Sequence, residues 1–139
     1  MVWSGICYKP YNIFMDFNGA ATACRLDGGT LAMPRDAATN RFLTFVFKSV
    51  NKDCHCRIGL HDMHHEGSFE WVDGTALGKY NSWALSQPDN YGKREDCVHC
   101  DPSAGKWNDI PCGLQYPFIC QIVPGISPKR IPLLDMIPK

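Results

Sequence analysis

The sequence predicts a single α+β domain cross-linked by disulfide bonds, and three observations support this fold class. The chain has 139 residues, the size of one ordinary domain. Two amphipathic helical patterns come early and most strand-like segments come late, an order that favours α+β over alternating βαβ units. Eight cysteines are unusual in a cytosolic chain of this size that binds no metal, whereas secreted domains often carry them as disulfides.

The composition argues against several classes of partner. Fourteen basic residues balance 14 acidic ones, so the chain lacks the charge excess that attracts nucleic acid or an anionic membrane. No segment reaches the ~20 apolar residues that span a bilayer, and we expect no membrane insertion. The first residues lack the basic start and apolar core of a signal peptide. If the protein is secreted, the sequence is expected to be its mature part.

Both predicted helices begin at an aspartate. Asp16 is predicted to cap the first helix, which ends at Gly28-Gly29. Asp36, two residues after a proline, is predicted to cap the second. The inward face of the second helix is expected to consist of Phe42, Phe45 and Val46, with Ser49 or Val50.

Four later segments have the composition of short strands: 57–60, 69–72, and parts of 105–111 and 117–123. The stretch from Thr75 to Asp109 has little regular pattern, although it contains four aromatic residues. A long irregular segment inside a compact domain that is not disordered is usually functional.

The composition changes at Val123. Four prolines fall within the last 17 residues, and proline at this density removes backbone donors and stops helices and central strands. We therefore divide the chain into a domain at 1–122 and a Pro-rich tail at 123–139.

Five oxygen-bearing side chains lie in or beside the predicted loops of the irregular segment: Gln87, Asp89, Glu95, Asn108 and Asp109. Calcium takes six to eight oxygen ligands, carboxylate and amide together, in a flexible geometry, whereas Mg²⁺ prefers waters and few protein ligands. The spacing is not that of an EF-hand. Taken alone, such residues are also what a solvated loop contains.

The order and spacing of six motifs resemble those of C-type lectin domains, over about residues 5 to 122. The motifs are Leu31-Ala32-Met33-Pro34, Ile58-Gly59-Leu60, Gly67 to Gly74, Gln87-Pro88-Asp89 with Glu95-Asp96-Cys97-Val98, Trp107-Asn108-Asp109 with Cys112, and Pro117-Phe118-Ile119-Cys120. One departure is Arg57, which stands where the family usually has Trp.

The resemblance implies a fold of two helices with small antiparallel sheets and a long calcium-binding loop region, cross-linked by disulfides. It also implies that one Ca²⁺ is bound by the five oxygen-bearing residues above. The sugar-binding residues that it implies are Gln87, Asp89, Tyr91, Glu95 and Asn108. Related domains carry Gln-Pro-Asp when they prefer galactose-type ligands and Glu-Pro-Asn when they prefer mannose-type ligands. The aromatic face of Tyr91 would pack on the apolar face of galactose.

A second, auxiliary Ca²⁺ site is implied at Asp62, Glu66, Asn90 and Asp96. The family often holds the peptide bond before the proline of the Gln-Pro-Asp motif in cis, so we also predict a cis Gln87-Pro88 bond. Asp62 and Glu66 are equally explained as solvated loop residues.

The resemblance also implies two core disulfides, Cys24–Cys120 and Cys97–Cys112. In such a fold Cys100 lies near Cys54 or Cys56, and we predict that it pairs with one of them. The partner of Cys7 stays open.

These observations predict an extracellular lectin that binds galactose-type glycans through Ca²⁺, and they do not predict an enzyme. An alternative is a domain of the same fold that binds a protein partner or forms homo-oligomers, with calcium only ordering the loops. A zinc-binding module built on Cys54, Cys56, Cys97 and Cys100 is disfavoured, because it leaves Cys24, Cys112 and Cys120 without a role.

Overall fold

The computed structural model describes residues 1–90 and 94–122. It has two helices, α1 (Phe17–Leu26) and α2 (Ala37–Val50). The strands are β1 (Val2–Trp3), β2 (Ile6–Met15), β3 (Thr30–Leu31), β4 (Cys56–His61), β5 (Glu70–Trp71), β6 (Cys97–Cys100), β7 (Trp107–Ile110) and β8 (Tyr116–Ile122). The predicted α+β class is confirmed. Tyr91 and the tail at 123–139 lie outside the described residues.

All eight strands belong to one sheet, not to several small ones as predicted. Its order is β1-β2-β8-β4-β6-β7, with β3 also on β8 and β5 on β4. The pairs are antiparallel except β4 with β8, which run parallel where Arg57 meets Phe118. Strands β1 and β2 lie on the β8 side of this pair, so both ends of the described chain are there. The hairpin of β6 and β7 lies on the β4 side.

Five of the eight described strands follow α2, as expected, but the ten-residue strand β2 precedes α1 and is not predicted from the sequence. Pro10 concealed the strand, because proline is depleted from strands and confined largely to edges. Here Pro10 lies opposite Ile119 of β8, while β1 covers β2 only at Ile6 and Cys7. The other side of Pro10 therefore has no described strand partner.

Both helix caps form as predicted. The backbone N–H of Gly19 donates to Asp16 Oδ1, and that of Thr39 donates to Asp36 Oδ1, each over 2.8 Å. The predicted inward face of α2 is wrong in part, since Phe45 is 69% exposed and Val50 39% exposed. The buried side chains include Leu43, Val46 and Phe47, which is the i, i+3, i+4 stripe one position further along.

The core consists of three clusters of buried side chains around the sheet. One joins Phe17, Ala20 and Cys24 of α1 to Phe118 and Cys120 of β8. A second is formed around Trp71 and Trp107, whose rings meet edge to face with centroids 5.8 Å apart. In the third, α2 packs on Tyr8 and Ile119. Neither helix has the length and apolar character needed to cross a lipid bilayer.

The two core disulfides are present. Cys24–Cys120 ties α1 to β8, and Cys97–Cys112 ties the start of β6 to the residues after β7. Cys56 lies directly opposite Cys100 on the paired strands β4 and β6, but no disulfide joins them. The predicted partner region is therefore correct, and the predicted bond itself is not formed. The zinc module cannot form with Cys97 in a disulfide.

The four free cysteines should react with an alkylating reagent in two classes. Cys7 and Cys54 are half-buried, whereas Cys56 is 3% and Cys100 6% exposed. Burial also raises the pKa of the Cys56 and Cys100 thiols, which keeps them protonated and unreactive. Mass spectrometry should find two labels on the native protein and four after unfolding without reductant. Labels on Cys7 and Cys54 alone, both before and after unfolding, would show that Cys56 and Cys100 are joined.

Candidate functional site

Three carboxylates, from one loop and the strands that follow it, meet at one end of the sheet. Asp89, Glu95 and Asp109 each offer an oxygen, and these oxygens lie within 4.8 Å of one another. Asp109 is buried on β7 opposite Val98, Glu95 comes just before β6, and Asp89 lies in the loop before them. The pairing of β6 with β7 therefore brings two of the three positions together, and the loop supplies the third.

Asp109 fixes that loop to the strand. Its Oδ1 accepts a hydrogen bond from the backbone N–H of Asp89 (3.0 Å), and its Oδ2 accepts one from that of Asn90 (2.7 Å). Burial raises the pKa of the Asp109 carboxyl, and the charge of Asp89 adds to this, although the two backbone bonds oppose it. A cation among these groups would relieve the repulsion between the carboxylates.

The segment before Asp89 has an unusual backbone. The Gln87-Pro88 peptide is cis, as predicted, and Ser86 and Asn90 have positive φ angles of 65° and 46°. The side-chain amide nitrogen of Gln87 donates to Asp89 Oδ2 over 3.3 Å. Its oxygen, Oε1, is buried and has no hydrogen-bond partner. Gln87 and Asp89 are therefore neighbours, and one acceptor oxygen is left unsatisfied.

The side chain of Asn108 contacts a histidine and does not belong to the cluster of three carboxylates. Its amide nitrogen is 3.5 Å from Nε2 of His99, the residue opposite it in the hairpin, on the other face of β7 from Asp109. This use of the nitrogen leaves the amide oxygen Oδ1 to act as a ligand. His99 is not predicted as a site residue. The strand register on either side of the Pro102–Gly105 turn is the signal that pairs it with Asn108.

The auxiliary residues also cluster in part. Asp62, Glu66 and Asp96 offer oxygens within 4.8 Å of one another. Desolvation, together with the neighbouring carboxylates, raises the pKa of both Asp62 and Glu66. Asn90 makes a different described contact, because its side-chain oxygen accepts from the backbone N–H of Glu95 over 3.2 Å.

The donor set of both clusters suits a hard cation. Gln87 Oε1, Asp62 Oδ1 and Asp96 Oδ1 are buried oxygens that have no hydrogen-bond partner. Buried acceptors without a donor are costly, whereas carboxylate and amide oxygens at loop positions are the ligands that Ca²⁺ takes. The described residues of the two clusters therefore fit calcium at each place.

As the pH falls, we expect calcium affinity to begin to decrease at a pH still above 3.8, the ordinary aspartate pKa. Because burial and Asp89 raise the pKa of Asp109, this group takes up its proton early as the pH falls, and the proton competes with calcium. The stability of the metal-free protein should change in the opposite direction. Its free energy of unfolding should rise, through Asp109, as the pH falls through the raised pKa. Calorimetric titration with calcium from about pH 7 to about pH 4 measures this. Unchanged affinity at the acid end would contradict it.

Comparison with known proteins places the chain in a family. Residues 14–122 match the model of the lectin C-type domain. The chain is 39% identical over 111 residues to collectin-10 of Homo sapiens, an alignment that covers 78% of this chain and 38% of that protein. It is 33% identical over 129 residues to an alpha-N-acetylgalactosamine-specific lectin of Patiria pectinifera, covering 86% and 76%. The protein belongs to the C-type lectin domain family.

A solved structure supports the same assignment. The C-type lectin CEL-I from Cucumaria echinata superposes with a TM-score of 0.81 at 26% identity, covering 86% of this chain and 91% of that one. The chain spans little more than a third of the length of the collectin relatives that it matches. The sequence match to the collectins therefore concerns that part of their length and not the remainder of those proteins.

Proposed function

We propose that this domain is a calcium-dependent lectin that prefers galactose-type glycans, galactose or N-acetylgalactosamine. The observation that carries the proposal is the meeting of Asp89, Glu95 and Asp109 within 4.8 Å, with Gln87 hydrogen-bonded to Asp89. Membership of a lectin family supports carbohydrate as the ligand. The name of the Patiria pectinifera relative supports the galactose class of sugar.

We assign the principal metal ligands as Gln87, Asp89, Glu95, Asn108 and Asp109. Bound there, Ca²⁺ would accept two neighbouring sugar hydroxyls into its coordination shell. Around it, each hydroxyl would donate to a carboxylate oxygen and accept from an amide nitrogen of the same residues. The loss of one ligand should then remove metal and sugar together.

The order of Gln87 and Asp89 supports the galactose preference. Gln87 supplies the amide and Asp89 the carboxylate, so a bound metal would have the hydrogen-bond donor on one side and the acceptor on the other. The reverse order would suit a hydroxyl pair of the opposite hydrogen-bond polarity, so the site discriminates between sugars by mismatch as well as by fit. Tyr91 is retained as the stacking residue of this proposal.

We also propose a second Ca²⁺ site at Asp62, Glu66 and Asp96, with Asn90 as the fourth residue. Its support is the close approach of the three carboxylates and the unsatisfied oxygens on Asp62 and Asp96. The backbone N–H of Asp62 also donates to the carbonyl oxygen of Asp96 over 3.0 Å, which holds two of the ligands together.

The setting of the domain is part of the proposal. We place the lectin domain at 1–122 and the tail at 123–139, and we propose an extracellular, secreted protein. Binding at one shallow site is expected to be weak, so several domains acting together, for example in a homo-oligomer, would raise the overall affinity. The bound sugar is not transformed.

Chromatography on immobilised galactose tests the function. We expect retention in calcium, elution by EDTA, and stronger retention on galactose than on a matched mannose column. Calcium binding without retention on either sugar would favour the alternative, in which calcium orders the loops for a protein partner. A glycan array with and without calcium would then identify the natural ligand class.

A further inference from the structure

Arg57 is a buried cation without a counter-ion among the described residues. It lies in the middle of β4, its side chain is fully buried, and it forms no ion pair with any described carboxylate. One nitrogen, Nη2, donates to the carbonyl oxygen of Leu114. The other two, Nε and Nη1, are buried without a hydrogen-bond partner. Burial lowers the pKa of the guanidinium to about 10, which reflects the cost of this desolvated charge.

The strand neighbour of Arg57 presents another unpartnered nitrogen on the same face of the sheet. His99 lies directly opposite Arg57 in the β4–β6 pair and is 7% exposed. Its Nε2 faces the amide nitrogen of Asn108, which can only donate, so Nε2 accepts and the neutral ring carries its proton on Nδ1. Nδ1 is also buried and has no partner. Two adjacent side chains thus offer N–H donors with no acceptor.

Aromatic rings enclose this pair of donors. The His55 ring stacks on that of His99 with centroids 4.2 Å apart, and the Tyr116 ring meets His99 edge to face at 4.7 Å. The Arg57 guanidinium lies over the Tyr116 ring at 5.8 Å. Arg57 and His99 are themselves buried, so charge is poorly screened there.

Among the described carboxylates, Asp16 is the one that acts on the Arg57 charge, and it does so only through space. Asp16 interacts favourably with the Arg57 charge, but its Oδ1 accepts from the N–H of Gly19 at the start of α1, and the two side chains form no ion pair. A buried water could accept hydrogen bonds but would leave the positive charge. An anion would satisfy the donors and neutralise the charge together.

We propose that Arg57 and His99 form a binding site for a small monovalent anion, of which chloride is the abundant example. The ion is held by Nε and Nη1 of Arg57 and by Nδ1 of His99. Because the His55 and Tyr116 rings pack against His99, we expect the site to favour a small ion over phosphate esters and carboxylate-bearing ligands. The anion site uses other atoms than the proposed calcium site, but His99 Nε2 contacts the proposed ligand Asn108. The test of the anion site is therefore made without calcium.

Thermal unfolding in EDTA tests the anion site. The Tm is measured in sodium chloride and in sodium gluconate at equal ionic strength, since gluconate is too large to enter. Chloride at ten times its dissociation constant should raise the Tm by about 5 °C, and the rise should saturate. The same Tm in the two salts at every concentration would overturn the proposal.

Two variants localise the effect. Arg57→Met replaces the cation by an apolar chain of similar length and should abolish the difference between the salts. Arg35→Met is the matched control, because Arg35 is an exposed arginine that pairs with Asp73, and it should keep the difference. A chloride effect that survives in Arg57→Met would contradict the assignment.

A crystal grown in sodium bromide gives a result that does not require Arg57→Met to fold. An anomalous peak between the Arg57 guanidinium and His99 Nδ1 in the unaltered protein is expected. A water or no density at that place would overturn the proposal.

Discussion

Asp109→Asn should abolish calcium-dependent retention on galactose. The change removes one negative charge from the cluster, and it leaves only one oxygen for the two backbone N–H groups that Asp109 now satisfies. Replacing even a residue that supports a metal ligand costs 10–100-fold in affinity, so the loss of a buried ligand should weaken calcium binding by at least about 100-fold. Calorimetric calcium titration and the galactose column measure the two consequences.

The matched control for this variant is Asp53→Asn. Asp53 is an exposed aspartate in the turn before β4, remote in the chain from the cluster, and its replacement should leave both measurements unchanged. Because Asp109→Asn also releases the loop from the strand, Glu95→Gln provides a second test that leaves those two bonds in place. Normal calcium affinity in both cluster variants would show that the metal is held elsewhere.

Exchange of the amide and the carboxylate should reverse the sugar preference. The double variant Gln87→Glu/Asp89→Asn keeps one carboxylate and one amide at the two positions, so calcium affinity should change little. The hydrogen-bond polarity presented to the sugar hydroxyls is inverted, and we expect mannose to replace galactose as the preferred ligand. Competition by free monosaccharides on each column measures the ratio of the two affinities.

A double variant that binds calcium but still prefers galactose would show that the preference is set outside this pair, with Tyr91 the first residue to replace. Each single exchange serves as a control. Gln87→Glu alone adds a charge and Asp89→Asn alone removes one, so both should disturb calcium binding more than the double exchange does.

Local signals in the sequence were the most dependable. Asp16 and Asp36 were predictable as helix caps, because capping depends on a side chain and on backbone groups three residues away. Strand β2 was not predictable, because it forms by pairing with β8, more than 100 residues further along the chain. The face of α2 was misjudged at Phe45, since hydrophobicity alone does not distinguish a buried phenylalanine from an exposed one.

In the candidate site, too, local features were predictable and features that depend on strand pairing were not. Positions Asp89, Glu95 and Asp109 were predictable from the motif that contains them, and the resemblance gave both core disulfides. The contact of Asn108 with His99 and the unpaired charge of Arg57 were not predictable, because both depend on the strand register. From the sequence, Arg57 stands out only as a departure from the family pattern, and its burial shows why the departure matters.

The Cys97–Cys112 disulfide has a kinetic consequence for the candidate site. It closes a ring over a separation of 15 residues that contains β6 and β7, whereas Cys24–Cys120 spans 96 residues. Rings of about these sizes restrict the unfolded chain by about 3 and about 4.7 kcal/mol. Asn108 and Asp109 lie inside the short ring, and Glu95 and Asp96 immediately precede it. The segment from Glu95 to Cys112 therefore keeps this covalent closure when the sheet opens. We expect its carboxylates to bind calcium again faster than the whole domain refolds.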